Sequence, residues 1–186
     1  MTQLLRATGL IGRPVVTLSG ESPLEVKDVV FEKDAGALLG FTLRKHGFLG
    51  GPVSEDLAWS DVHGLGPDAV MIQDSEVLRT EHGVSSASSD VIGSTVMSES
   101  GTELGEVVEV VIQVGASADV VGFEVEPSPE LSGSGDAHVF IPLPDTMAIS
   151  GEKIIVPDSA INFVRDDLAG FGAAVADFRR QLSGGA

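Results

Sequence analysis

The sequence contains no cysteine and no tyrosine among its 186 residues, and it has only 11 lysines and arginines. Without cysteine there can be no disulfide, no thiolate zinc or iron–sulfur site and no cysteine nucleophile. No apolar run approaches the roughly eighteen residues that a membrane-spanning helix needs. The N-terminus lacks the charged, apolar and small-residue regions of a signal peptide, which predicts a cytoplasmic protein without a transmembrane segment.

Negative charge dominates the chain and is unevenly distributed. The formal net charge is -17, and residues 85–164 carry thirteen acidic side chains against one base, Lys153. A field of this sign repels phosphate, which argues against direct binding of nucleic acid or of an anionic membrane surface. The same field attracts a basic protein partner, although acidic surfaces also serve solubility alone.

The sequence repeats itself at an offset of 81 residues, between 11–31 and 92–112. After a one-residue slip, Gly40-Phe41 also aligns with Gly122-Phe123. The matches fall on glycines, turn residues and apolar positions, as expected for a duplicated small domain rather than for a solenoid, which needs three or more repeats. The aligned identities are Ile11/Ile92, Gly12/Gly93, Val15/Val96, Ser19/Ser100, Gly20/Gly101, Glu25/Glu106, Val26/Val107, Val29/Val110 and Val30/Val111.

Composition divides the chain into four segments. We predict a first domain over 1–80, a serine-rich linker over 81–90, a second domain over 91–163, and an amphipathic helix with a tail over 164–186.

Both copies have the pattern of short β-strands. Strands are predicted over 15–18, 25–31, 37–43, 57–62 and 69–73, and over 96–97, 106–114, 120–126, 138–142 and 154–156. Gly20 and Gly101 supply the hairpin turns between the first two strands of each copy. The predicted fold class is therefore all-β, with two tandem small closed barrels and a C-terminal α-helix.

The C-terminal segment has a heptad-like apolar pattern that predicts one helix over 160–182. Asp158 or Ser159 is a candidate cap, and Gly184-Gly185 a candidate end. Such a helix either closes the core of its own chain or mediates self-association, giving a possible homodimer; membrane-surface binding is a weaker alternative because the helix carries three aspartates. The candidate self-association residues are Val164, Leu168, Phe171, Val175, Phe178 and Leu182.

The repeated pattern resembles the PRC-barrel family. Ile-Gly-x-x-Val, a stretch ending in glycine, Val-x-x-Val-Val and a later Gly-Phe strand occur twice, at 11–41 and at 92–123. The family's glycine before the second strand is kept at Gly105, whereas the first copy has Leu24, which predicts a reshaped first hairpin. These are turn and core residues, so they indicate a fold and carry little chemistry.

The resemblance implies a non-catalytic module that docks other macromolecules. Similar barrels form the cytoplasmic domain of the photosynthetic reaction-centre H subunit and the C-terminal part of a ribosome-maturation factor. No family catalytic residue exists to be carried over, so we expect no enzyme activity and no cofactor.

The residues themselves show no strong chemical motif. The segment 64–69 nominally fits G-x-G-x-x-A, but it contains Pro67 and opens no predicted helix, which argues against phosphate binding. The histidines are scattered without metal-ligand spacing, so we predict no metal site. They are His46, His63, His82 and His138.

Two regions are candidate partner-binding surfaces. The first is a basic, glycine-rich loop with a nearby tryptophan, comprising Arg44, Lys45, His46, Phe48, Leu49 and Trp59. The second is an acidic face of the second copy, comprising Glu99, Glu103, Glu106, Glu109, Glu124 and Glu126. A flexible loop folded over the barrel and a merely solvated face remain open as alternatives.

The sequence thus predicts a non-catalytic adaptor that binds a protein partner through barrel surfaces, and the negative charge favours a basic partner. The alternative is an accessory factor in ribosome or RNA-processing assembly that contacts a basic ribosomal protein. A small-ligand carrier or enzyme would require a pocket with converging ionisable groups.

Overall fold

The computed structural model describes residues 3–22, 24–32, 36–47, 50–80, 84, 91–132, 137–145 and 153–184. The structure is mostly β, with two sheets and a helix near the C-terminus. Among the described residues, no helix combines the length and the hydropathy required to cross a membrane. The predicted linker, 81–90, lies outside the described residues except for Val84, which is buried.

The chain forms two compact units. The N-terminal unit comprises residues 7–32 and 38–88, and the C-terminal unit comprises 1–6, 33–37 and 89–186. The N-terminal unit has one six-stranded sheet with the order β5-β4-β3-β2-β7-β6. Its strands are β2 (Pro14–Thr17), β3 (Leu24–Phe31), β4 (Leu38–Lys45), β5 (Pro52–Ala58), β6 (Val62–Leu65) and β7 (Val70–Ile72).

The sheet of the C-terminal unit has the order β11-β10-β9-β8-β12, and the N-terminal strand of the chain, β1 (Gln3–Arg6), pairs with β9. The remaining strands are β8 (Thr95–Ser98), β9 (Glu103–Val114), β10 (Ala118–Pro127), β11 (Val139–Pro142) and β12 (Lys153–Val156). Ala37 adds an isolated antiparallel bridge to Asp119. The helices are α1 (Pro129–Ser132) and α2 (Leu168–Gly184).

The two sheets repeat the same five-stranded topology. In each copy three antiparallel pairings are followed by one parallel pairing, β2 with β7 and β8 with β12. The hairpin turns also repeat: Gly20 and Gly101 have φ of +93° and +87°, a backbone region that favours glycine. The hydroxyls of Thr17 and Ser19 are 2.9 Å apart, and those of Ser98 and Ser100 are 2.8 Å apart. The two predicted copies therefore share their sheet topology, their turn glycines and the hydroxyl contacts of their hairpin turns.

The predicted closed barrel is confirmed only as a β-rich sheet. In the N-terminal unit, the pairings among the described residues end at β5 and β6, which are not joined to each other. Each sheet thus has five equivalent strands, and the sixth strand differs: β6 pairs with β7 in one unit, and β1 pairs with β9 in the other.

The second hairpin differs from the first at the predicted place. The β2–β3 ladder has two residue pairs, whereas the β8–β9 ladder gains a third pair beyond an irregularity near Gly105. Gly105 has φ of +153°, and an added Cβ would lie 2.3 Å from the carbonyl oxygen of Glu126. Leu24 stands at the equivalent place in the first copy and is buried.

The prediction of one strand over 57–62 is wrong. That segment contains the end of β5, a 3₁₀ turn over Trp59–Asp61 and the start of β6. The apolar residues at both ends of this segment favour a continuous strand, but the Trp59-Ser60-Asp61 sequence between them forms a turn.

The predicted start of the C-terminal helix is also wrong. Residues Asp158–Phe163 form a 3₁₀ segment, Val164 is extended, and α2 begins only at Leu168. The backbone N–H of Gly170 donates a 2.6 Å hydrogen bond to the Asp167 carboxylate, so Asp167 caps the helix. Asp158 instead accepts a hydrogen bond from the backbone N–H of Ser100.

Candidate functional site

Four carboxylates share one face of the C-terminal sheet because of a bulge in β9. Glu124 lies opposite Glu109, and Glu126 lies opposite Glu106. Glu124 and Glu126 are two residues apart on β10 and therefore point to the same side. Glu106 and Glu109 are three residues apart, but the extra residue Val108 in the ladder restores their common side. We call these four glutamates the acidic face.

The inner pair of the acidic face, Glu109 and Glu124, is compensated by a cation. Arg6 Nε donates a 2.7 Å hydrogen bond to Glu124 Oε2, and the Arg6 guanidinium lies 5.5 Å from the centre of the Phe140 ring. His138 Nδ1 is 3.4 Å from the other oxygen of Glu124. The hydrogen bond to Glu124, together with the attraction of Glu124 and Glu109, raises the pKa of Arg6 above its ordinary value, although burial acts in the opposite direction.

Glu109 is more deeply placed than its sequence position suggests. Its residue surface is 6% exposed, and its Oε1 accepts a 2.8 Å hydrogen bond from the backbone N–H of Val110. Asp28 makes the same contact with the N–H of Val29 in the first copy, at 2.9 Å. The contact is therefore part of the repeated bulge, and Glu109 serves the local fold as well as the charge of the face.

The outer pair of the acidic face, Glu106 and Glu126, has no such compensation. Both side chains are exposed, and neither forms an ion pair with any residue in the described part of the chain. Like charges directly opposite each other across a sheet are destabilising. The other two residues of the predicted surface, Glu99 and Glu103, are exposed at the β8–β9 hairpin, so the six predicted glutamates divide between a hairpin and a sheet face.

The same cross-strand position in the first copy holds a salt bridge. Glu25 lies opposite Arg44, and Arg44 Nε donates to Glu25 Oε1 at 2.6 Å. His46 Nδ1 is 3.5 Å from the other oxygen of Glu25. At the inner position, Asp28 lies opposite Thr42, so this copy does not place two carboxylates against each other.

The predicted basic loop is only partly within the described residues. Arg44 is engaged with Glu25, Lys45 is exposed, and Phe48 and Leu49 lie outside the described residues. The ring contact of Trp59 is with the buried Phe41, edge-on at a centroid distance of 6.5 Å. Among the described residues, no hydrogen bond or cation–ring contact joins Trp59 to Arg44, Lys45 or His46.

An open groove of about 330 Å³ lies on the N-terminal unit and was not predicted. Its apolar lining comes from Leu24, Val53 and Leu78, and Lys45 and Glu55 flank it with Ser75. The replacement of the family's glycine by Leu24 was the only sequence signal near this groove, and it gave no indication of a cavity.

The apolar seam of the C-terminal helix packs within its own chain. Phe171 and Val175 belong to a core cluster with Val111, Val121 and Phe140, and Phe178 contacts the ring of Phe163. Val164 and Leu168 are half-buried, and Leu182 is 39% exposed. The seam residues Phe171, Val175 and Phe178 would have to leave this core before they could meet a second molecule.

The remaining features with a chemical interpretation are the histidines and the 64–69 segment. No three histidines, aspartates or glutamates among them lie close enough to hold a metal ion. The 64–69 segment follows β6 into a turn, in which the backbone N–H of Gly66 donates to the carbonyl of Ala69, and it opens no helix. His46 and His138 contact glutamates on different sheets, so the histidines are not gathered into one site.

Comparison with known proteins identifies the repeated fold. The model of the PRC-barrel domain matches the chain twice, over residues 3–77 and 84–161. These two matches cover most of the chain and leave out α2. No curated protein is similar enough to count as a match. The chain therefore belongs to the PRC-barrel domain family, of which it contains two tandem copies.

Proposed function

We propose that this protein is a non-catalytic adaptor whose second PRC-barrel copy docks a basic protein partner through the acidic face. The observation that carries the proposal is the outer pair, Glu106 and Glu126, in which two exposed carboxylates oppose each other and neither is paired with a cation of the described residues. A lysine or arginine of a partner would supply the charge that Arg44 supplies within the first copy.

The surroundings of the outer pair support this proposal. The inner pair, directly next to it, has Arg6 bound to Glu124, whereas the outer pair has no ion pair within the described part of the chain, so the outer end of the face carries the larger uncompensated negative charge. The excess of acidic residues over 85–164 extends the same field and would accelerate the approach of a basic partner.

The experiment is a crosslinking pull-down from host extract at low salt, with wild type beside Glu106→Gln/Glu126→Gln. We expect the double variant to lose a basic partner that wild type retains. The matched control is Glu21→Gln/Asp68→Asn, which makes the same change in net charge at two exposed positions of the N-terminal unit. Loss of the partner in the control as well would indicate a general charge effect and contradict docking at the acidic face.

The ribosome-assembly alternative rests on the same surface, because a basic ribosomal protein is one possible partner. Co-sedimentation with ribosomal subunits at low salt, lost on raising the salt and lost in Glu106→Gln/Glu126→Gln, would favour that alternative. A partner captured from extract without any ribosomal subunit would favour the general adaptor.

A further inference from the structure

Strand β1 occupies an unusual place in the chain. It is the N-terminal strand, yet it completes the sheet of the C-terminal unit, while residue 7 onward belongs to the N-terminal unit. Its four residues pair antiparallel with β9, from Gln3 opposite Val114 to Arg6 opposite Val111. It therefore already links parts of the chain that are distant in sequence.

The edge of β9 recognises β1 by more than backbone pairing. Leu4 packs against the core cluster that includes Phe171, and Gly172 of α2 leaves room for it: an added Cβ there would lie 3.3 Å from Leu4 Cδ1. Two residues later on the same side, Arg6 reaches Glu124 and the Phe140 ring. The β9 edge thus fits an extended Leu-x-Arg segment.

Despite this specific fit, the side chains of β1 are only partly buried. Gln3 and Arg6 are exposed, Leu4 and Leu5 are only half-buried, and among the described strands β1 pairs with β9 alone. Among the described strands it can therefore leave the sheet without breaking a second pairing. Segments with few buried contacts are the first to open in folded proteins.

The connection between β1 and the N-terminal unit is short. Arg6 ends β1, and the next residue, Ala7, is already buried and accepts a hydrogen bond from the backbone N–H of Leu10, so no free loop separates β1 from the N-terminal unit. Short hinge segments favour exchange of an element between copies, because a short connection limits how the element can fold back onto its own chain.

We propose that the β9 edge accepts β1 from a second copy of this chain, so that two molecules exchange their N-terminal strands reciprocally. Residues 3–6 are the segment whose fit to this edge the structure displays, and the exchanged dimer would reuse every contact that β1 makes within one chain. A reciprocal exchange closes with two-fold symmetry and leaves no free edge for further growth.

The test uses the lack of native cysteine. Gln3 and Val114 are paired across the strands, and the Cα separation of such pairs suits a disulfide. Separate variants Gln3→Cys and Val114→Cys are mixed in equal amounts at high concentration and oxidised. We expect a covalent heterodimer of about twice the 19.2 kDa chain mass. The control replaces Val114→Cys by Ser60→Cys, an exposed position on the N-terminal unit.

Absence of the heterodimer would overturn the proposal if Gln3→Cys/Val114→Cys in one chain oxidises to a monomer, since β1 would then pair only within its own chain.

A second measurement uses charge. Arg6→Glu and Glu124→Arg each mismatch β1 with its own edge, but a one-to-one mixture matches both edges in an exchanged dimer. Light scattering should show the mass of a dimer for the mixture and of a monomer for each variant alone. A monomeric mixture would also contradict the exchange, and neither test touches Glu106 or Glu126.

Discussion

The two PRC-barrel copies differ most informatively at one cross-strand position. In the first copy this position holds Glu25 and Arg44, joined at 2.6 Å; in the second it holds Glu106 and Glu126, both exposed. The backbone register and the bulge beside the pair are the same. Duplication thus preserved the scaffold, while one side chain, Arg44 in the first copy and Glu126 in the second, changed the charge of its surface.

A second difference concerns what closes each core. The C-terminal unit has α2 packed on β11, with Phe171 fully buried against Gly122 and Phe140. The structure describes no equivalent helix in the N-terminal unit. The copies therefore share a sheet topology and differ in their dependence on added segments, namely β1 and α2.

The largest predicted effect comes from removing the side chain that packs α2 on the sheet of the C-terminal unit. Phe171→Ala should lower the free energy of unfolding of the C-terminal unit by about 3–5 kcal/mol, because it removes a buried aromatic ring and leaves a cavity. Urea unfolding measures the change. Leu182→Ala, on the same helix but exposed, is the matched control and should change stability little. Equal effects of the two variants would mean that α2 does not close the core.

The next effect concerns the inner pair. Arg6→Gln should destabilise the protein by about 1 kcal/mol, since it removes the cation bound to Glu124, which lies opposite Glu109. Arg44→Gln in the first copy should cost less, about 0.5 kcal/mol, because Arg44 faces one carboxylate on a partly exposed surface. Thermal unfolding of both variants gives the order, and a larger loss for Arg44→Gln would contradict it.

A smaller effect is expected when the outer cross-strand pair of one copy is given the charges of the equivalent pair in the other copy. Glu126→Arg should reproduce the first copy's pair and raise stability by about 0.2–1 kcal/mol. The converse variant, Arg44→Glu, should lower stability by a similar amount. Urea unfolding at low and at high salt checks both changes, and each should shrink as salt screens the charges. Changes that do not depend on salt would point to packing instead of charge.

The smallest effect lies at the turn of the second copy. The hydrogen bond from the Ser100 backbone N–H lowers the pKa of Asp158, with a further hydrogen bond from the Ser100 side chain. A lowered folded-state pKa means that the stabilisation is complete above the ordinary value of 3.8 and is lost as the pH falls through the folded-state value. Wild type and Asp158→Asn should therefore differ in stability at neutral pH and converge in acid. A constant difference across that range would show that ionisation of Asp158 is not involved.

The sequence was informative where the signal is local. Gly20 and Gly101 predicted the hairpin turns, and the repeated Val-x-x-Val-Val runs predicted β3 and β9, because turn chemistry and strand composition are written in neighbouring residues. The pairing of β1 with β9 has no such signal, since a four-residue strand can pair with any compatible edge. The same applies to the burial of Glu109, which depends on a bulge in the ladder.

The helix boundary shows a different limit. Val164 continues the heptad spacing of the later apolar residues, so periodicity extended the predicted helix too far towards the N-terminus. In the structure Val164 is extended and Arg165 pairs with Phe140. Tertiary pairing at that point outweighs the local pattern, and Asp167 then caps the helix.

Docking at the acidic face is tested most directly by exchanging the distinguishing charge between the copies and measuring partner capture. Glu126→Arg and Arg44→Glu are compared with wild type in the same low-salt capture from host extract. We predict that Glu126→Arg loses the basic partner, because its outer pair is then satisfied internally, and that Arg44→Glu retains it. Retention of that partner by Glu126→Arg at wild-type level would contradict the assignment of the acidic face as the docking surface.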